Sequence, residues 1–191
     1  MSISYAADMR ASQFTVQAFA SGLISAVAHS PKIAIRDWTA EMNFDPGTLK
    51  DASLRVKIKA ASLEVLDELR DDDRRELHRV MNQEVLESAK FPDICFQSLE
   101  VTSVRTKAEQ FRVHILGDLT VHGVTNKQTL VAQVAFGLDS LRAYGEFTLL
   151  QTDYEIKIAS IASGRLKLRD GLKASFYVVA RQQKQSAATA R

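Results

Sequence analysis

The chain holds a single cysteine, Cys95, in 191 residues, which excludes an internal disulfide. Cys95 stands in no local pattern of a catalytic thiol, so it reads as a small apolar residue within a strand. Uninterrupted apolar runs are also lacking. None approaches the ~20 residues that a spanning helix needs, and no membrane span is expected. Neither sign of charge dominates: 25 Lys and Arg face 23 Asp and Glu, a formal net charge of +2 at pH 7. The two signs are interspersed and no basic groove carries aromatics, so nucleic acid is not an expected partner. No linker rich in Pro, Gly or Ser divides the chain, nor does a fixed-period repeat. Its length suits one core.

Signatures of chemistry are equally scarce. The four histidines, His29, His78, His114 and His122, share no HExxH or comparable ligand spacing, and no CxxC accompanies them. The acidic run Asp67-Glu68 and Asp71-Asp72-Asp73 lacks the loop glycine and distal glutamate of an EF-hand and reads as a solvated helix entry. Gly117 and Gly123 bracket no Gly-Lys-Ser/Thr phosphate loop, and no G-x-S-x-G elbow occurs. The sequence nominates no catalytic residue, no metal and no cofactor.

What the chain does have is alternation. Leu54, Val56, Ile58 and Ala60 take one parity and Arg55, Lys57 and Lys59 the other, the pattern of an antiparallel strand with one wet face. Strands are expected over 13–28 (one or two), 32–44 with a bulge near Asp37, 54–60, 93–104, 109–122, 128–138, 143–154 and 171–181. Between 71 and 90 the period lengthens. Leu77, Val80, Met81, Val85 and Leu86 recur at helical spacing, behind acids that favour the helix dipole and can cap its amides. Phe91-Pro92 is the expected stop. Residues 1–12 read as a loose lead-in, 13–182 as one barrel domain, and 183–191 as a disordered polar tail. Ala18–Ala28 imitates a signal core, but Asp8 precedes it, Gly22 and serines dilute it, and Phe14–Ala18 already alternates as a strand. The expected location is cytoplasmic, or periplasmic if residues 18–28 act as a signal.

Many short-spaced strands with one amphipathic helix predict a mainly β fold, an extended antiparallel barrel with the helix inserted. A barrel whose bore stays open is lined by apolar side chains and can hold a long nonpolar tail. The candidate lining is Phe44, Leu54, Val56, Ile58, Phe96, Phe111, Val113, Ile115, Phe147, Phe176 and Val178, with His29 and His122 as candidates for the mouth. The same parity describes a filled core, and the residues alone leave both readings open.

Two segments are more particular. Phe91-Pro92-Asp93-Ile94-Cys95-Phe96-Gln97-Ser98 is followed by Gly117-x-Leu119-Thr120-x-His122-Gly123-Val124-Thr125. In that order and separation they resemble the YceI-like family, with weaker matches at Ala28-His29, Phe44-Asp45-Pro46, Ala52 to Leu63 and Arg70-Asp71. The resemblance covers approximately residues 14–181. It implies a lipocalin-like barrel around an isoprenoid-like or fatty lipid, a homodimer in many members, and no established reaction. The sequence departs from the pattern at Glu155, where the family commonly has glycine, and at Gln151, where it often has arginine. The expected function is non-catalytic binding or carriage of a long-chain nonpolar lipid, a hydrophobic small-molecule partner. One alternative is a filled barrel docking a protein through the Leu77-Met81-Val85 stripe. The other is a lipid- or quinone-modifying enzyme with His29 or His122 as proton carrier.

Overall fold

The structure, a computed structural model, describes residues 2–21, 30–45, 48–49, 51–68, 70–158, 160–161 and 166–183. Twelve strands are present among them: β1 (Ile3–Ala7), β2 (Gln13–Ser21), β3 (Lys32–Ile35), β4 (Trp38–Phe44), β5 (Ser53–Lys59), β6 (Leu63–Val65), β7 (Asp93–Lys107), β8 (Gln110–Val121), β9 (Val124–Phe136), β10 (Ser140–Leu150), β11 (Ser160–Ile161) and β12 (Leu166–Gln182). The helix α1 (Asp71–Val80) lies between β6 and β7 and runs on into a wide π turn, Met81–Val85.

Eight strands close a ring in the order β1-β4-β5-β7-β8-β9-β10-β12, sealed where Tyr5 pairs with Gln182 and Ala7 with Ala180. Every pairing is antiparallel. The alternation read from the sequence is the inside–outside code of this wall. Along β8, Phe111, Val113, Ile115, Leu119 and Val121 are buried while Gln110, Arg112 and His114 are exposed.

Three strands are interrupted at one level of the barrel. Arg36 and Asp37 separate β3 from β4, and a 3-10 turn, Ala60–Ser62, separates β5 from β6. The breaks are stitched together: Arg36 N–H donates to Ser62 O (3.2 Å), Asp37 N–H to Ser62 Oγ (3.0 Å), and Lys59 N–H to Asp37 O (2.9 Å). The bulge expected near Asp37 is therefore a full break in the strand. Between β1 and β2, the Ser12 hydroxyl accepts from Val179 N–H (3.0 Å) and donates to Asp8 O (2.6 Å). Above this level β2, β3 and β6 form a second tier on β12, and β5 leaves β7 at the Lys59–Asp93 pair. α1 stands beside β6 there, with the Arg74 guanidinium on Val65 O (3.2 Å) and Asp67 O (3.3 Å).

The structure corrects several sequence expectations. Residues 3–7 are no lead-in but the strand that closes the ring, because Tyr5 is buried and stacks on Phe44 with ring centroids 4.9 Å apart. The run expected over 143–154 leaves the sheet at Leu150 and turns through Thr152–Tyr154. The short strands β6 and β11 carry too few residues to show a period. The acids of α1 make no side-chain cap; they act as charge at the dipole's positive end and in pairs such as Arg70–Asp73 (3.0 Å). The helix stops before Phe91-Pro92. Glu87 adopts a left-handed conformation (φ 43°) and Ser88 N–H reaches back six residues to Asn82 O (2.9 Å), one residue further than in a Schellman cap, in keeping with the wide π turn before it. Of the 183–191 tail only Gln183 is described.

Candidate functional site

The bore contains two cavities in line. Each has a volume of about 150 Å³. The first lies toward the end where β4 and β9 finish. Phe44 meets Phe136 there (centroids 5.5 Å), Phe136 meets Phe111 (5.6 Å), and Leu49 is buried beside them. The second lies under the helix, walled by Leu77, Val80, Met81, Val85 and Leu86 on one side and by Val16, Ile33, Leu149 and Leu172 among others on the opposite sides. Phe14, Ile58, Ile94, Leu119 and Phe147 border both cavities. They form a waist of side chains between the chambers. Among the described residues no Asp, Glu, Lys, Arg or His lines either one. Ser53 in the first chamber and Gln151 in the second are the polar side chains of otherwise apolar walls.

Ten of the eleven lining candidates stand on the wall of the first chamber: Phe44, Leu54, Val56, Ile58, Phe96, Val113, Ile115, Phe147, Phe176 and Val178. The exception is Phe111, which is buried but borders neither cavity. Its ring packs edge-on against Phe136 and lies 5.0 Å from the Arg105 guanidinium, so it backs the Phe44–Phe136 end rather than lining the bore. The sequence reading missed Leu130, Ala132, Val134 and Phe136 of β9, although they alternate as cleanly as β5 does. Only the alternative, filled-barrel reading gave the Leu77-Met81-Val85 stripe to a docking partner. That stripe roofs the second chamber and is turned inward.

His122 is not a mouth residue. With Gly123 it forms the two-residue turn between β8 and β9, at φ 51° and 77°, the paired positive values of a type I′ hairpin. Its Nε2 lies 2.6 Å from the Glu87 carboxylate, and its ring stands on Phe91 at 4.4 Å. It borders neither cavity. His122 thus clamps the end of the helix to the hairpin. His29 lies outside the described residues. His114 is exposed on the outer face, and His78 is exposed on α1, next to Asn82. No cluster of three or more metal-ligating side chains occurs among the described residues.

The two particular sequence segments prove to be halves of one contact. Ser98 pairs with Gly117 across β7 and β8, and a Cβ on Gly117 would run into the Phe96 ring and stand 2.6 Å from Gln97 O. A Cβ on Gly123 would stand 2.6 Å from the Phe91 ring. The Ser98 hydroxyl accepts from Leu54 N–H (2.8 Å), and the Thr120 and Thr125 hydroxyls bond at 2.7 Å. Each aromatic lies over the glycine that leaves room for it. The signature is the joint that holds β5, β7, β8 and β9 around the bore.

Two tyrosines are buried outside the chambers. Burial, then the nearby Asp153, raises the Tyr154 hydroxyl above its ordinary value; burial and then Asp139 do the same to Tyr5. Asp170 is held below the usual carboxylate range by the Thr152 hydroxyl (2.6 Å) and the Thr152 N–H (2.9 Å). None of the three borders the bore.

Solved structures share this architecture. A crystal structure of Burkholderia cenocepacia BcnA superposes with a TM-score of 0.70 at 16% identity, over 91% of this chain and 98% of that one. A polyisoprenoid binding domain from Saccharophagus degradans, implicated in plant cell wall breakdown, gives 0.69 at 13% identity over 95% and 99%. The Campylobacter jejuni YCEI protein gives 0.57 at 18% identity over 80% and 85%. These likenesses establish the fold. No curated protein sequence matches the chain. The YceI-like domain matches residues 5–180, a span that takes in the ring-closing Tyr5, the waist and the helix roof, and the chain belongs to the YceI-like family.

Proposed function

We propose that this protein binds and carries one long nonpolar lipid, isoprenoid-like or fatty, inside its barrel without transforming it. The observation that carries this reading is the uncharged double chamber. A short ligand needs one compact pocket, whereas two apolar spaces in line, parted only by side chains, suit a chain-like molecule. Each methylene moved from water into such a bore contributes roughly 0.8 kcal/mol, so affinity grows with chain length and requires no elaborate polar contact. The polyisoprenoid binding domain of Saccharophagus degradans, which has this fold, is consistent with such a cargo. Carriage is favoured over turnover because Cys95 is the one titratable side chain among the described residues that borders the bore, with no Asp, Glu, Lys, Arg or His beside it on the walls, and His122 is engaged by Glu87 and Phe91. Ala18 is buried in β2, and removal of a leader ending at Ala28 would strip β1 and β2 from β12. This supports retention of that segment in the folded barrel.

The test is titration of delipidated protein with long prenols and fatty acids. Saturable one-to-one binding is expected, together with recovery of the ligand chemically unchanged. Val56→Trp, which places a large ring in the first chamber, should abolish binding while circular dichroism stays that of the parent. Undiminished binding by this variant, or an altered ligand after incubation, would defeat the proposal.

A further inference from the structure

We propose that Gln151 reads the polar end of the bound lipid, so that a hydroxyl or other hydrogen-bond-donating headgroup seats beneath α1 and the tail passes the waist into the first chamber. This rests on the lipid-holding reading above and adds an orientation and a headgroup class to it.

Gln151 is 3% exposed and, aromatic side chains aside, is the one buried polar side chain among the described residues. It sits where β10 ends, and its backbone is fully engaged: its N–H donates to Asp170 O (3.2 Å), and its carbonyl accepts from Tyr154 N–H (3.0 Å) and Ile156 N–H (3.1 Å). The side-chain Nε2 donates to Arg169 O (3.0 Å) and Asp170 O (3.2 Å). Two carbonyls facing the amide fix its orientation, since the reversed amide would set Oε1 against both oxygens. Oε1, with two lone pairs to satisfy, is left with no partner among the described residues.

Every fully enclosed side-chain polar atom of the described residues has a hydrogen-bond partner. An unpartnered Oε1 therefore keeps open surface, and the space that Gln151 borders is the second chamber. The other residues of that wall are apolar. An acceptor facing an apolar chamber is unfavourable when a hydrocarbon fills the space, and a donor delivered by the ligand removes the penalty. The charge-free wall suits a neutral head such as an alcohol. Ser53, on the wall of the first chamber, is the competing pole.

The test uses the full chain, delipidated, with geranylgeraniol, its methyl ether and the parent hydrocarbon. Wild type should bind the alcohol about three- to tenfold more tightly than the other two, the range of one neutral hydrogen bond. Gln151→Leu should bring the three affinities together while still taking up the hydrocarbon. If that variant fails to fold for want of the Arg169 and Asp170 contacts, the wild-type series decides alone. A photoreactive group beside the hydroxyl should label Leu77, Met81 or Ile156. Equal binding of the three ligands by wild type, or labelling at Met42 and Phe44, overturns the role of Gln151 and leaves lipid binding standing. Failure of all three to bind removes the lipid reading, and this inference with it.

Discussion

Ala143→Phe separates an open bore from a filled core by the sign of its effect on stability. Ala143 is buried on β10, paired with Val134 and Val178, and borders the first chamber. An unfilled cavity of about 150 Å³ forgoes roughly 3–4 kcal/mol of packing at ~24 cal/mol per Å³. A phenylalanine ring entering it recovers part of that. Full burial of the side chain is worth ~1.5–3 kcal/mol, less ~0.5–1 kcal/mol for lost rotamers, and the strand accepts the residue type. The expected result is a gain of about 1 kcal/mol, or a rise in Tm of ~2–4 °C for a chain of this length. The assay is thermal unfolding of delipidated protein followed by circular dichroism, with lipid uptake measured on the same samples. Uptake should fall as Tm rises. A core already packed shut would lose ~1–3 kcal/mol from overpacking, and a lowered Tm in well-folded, delipidated variant would refute the reasoning.

Other perturbations probe the frame around the bore. Gly117→Ala should cost about 2–3 kcal/mol in a urea titration, because Gln97 O, a backbone atom of the paired strand, stands 2.6 Å from the new carbon and cannot turn aside. Ser12→Ala should cost about 1–2 kcal/mol and speed hydrogen exchange at the Val179 amide, which loses its acceptor at the break between β1 and β2. Asp170 has a carboxyl held below its unfolded value, so its contribution is present above the usual carboxylate range and is lost as pH falls through the folded value. Asp170→Asn should therefore lower the urea midpoint at pH 7, and the gap from wild type should narrow steadily toward pH 3.

The barrel was legible because period-2 alternation is a local consequence of a two-faced wall, and β5 and β8 carry it without interruption. The ring-closing strand was not. Ile3–Ala7 is short, and only its distant partners, Phe44 and Gln182, make Tyr5 a core residue. The true helix stop was hidden for a similar reason. A left-handed Glu87 is an unfavoured choice that its environment sustains, and Pro92 offered a more obvious end. In the first chamber, ten wall residues follow from parity. The roof of the second was readable only as an amphipathic helix face, because period alone does not say whether that face meets the bore or a partner. Parity also cannot separate a lining residue from one that backs the Phe44–Phe136 end, which is how Phe111 came to be grouped with the wall. The functional weight of Gln151 depends on which way one amide faces, and no sequence pattern records that.

The most direct test of the account is to compare native mass spectrometry of the intact purified protein with an organic-solvent extract of the same sample. The account predicts a stoichiometric nonpolar ligand: one added mass on the intact protein, matched by a long-chain, neutral-headed lipid in the extract. A protein at its bare mass that also refuses added prenols and fatty acids would contradict it, since the two chambers would then hold nothing.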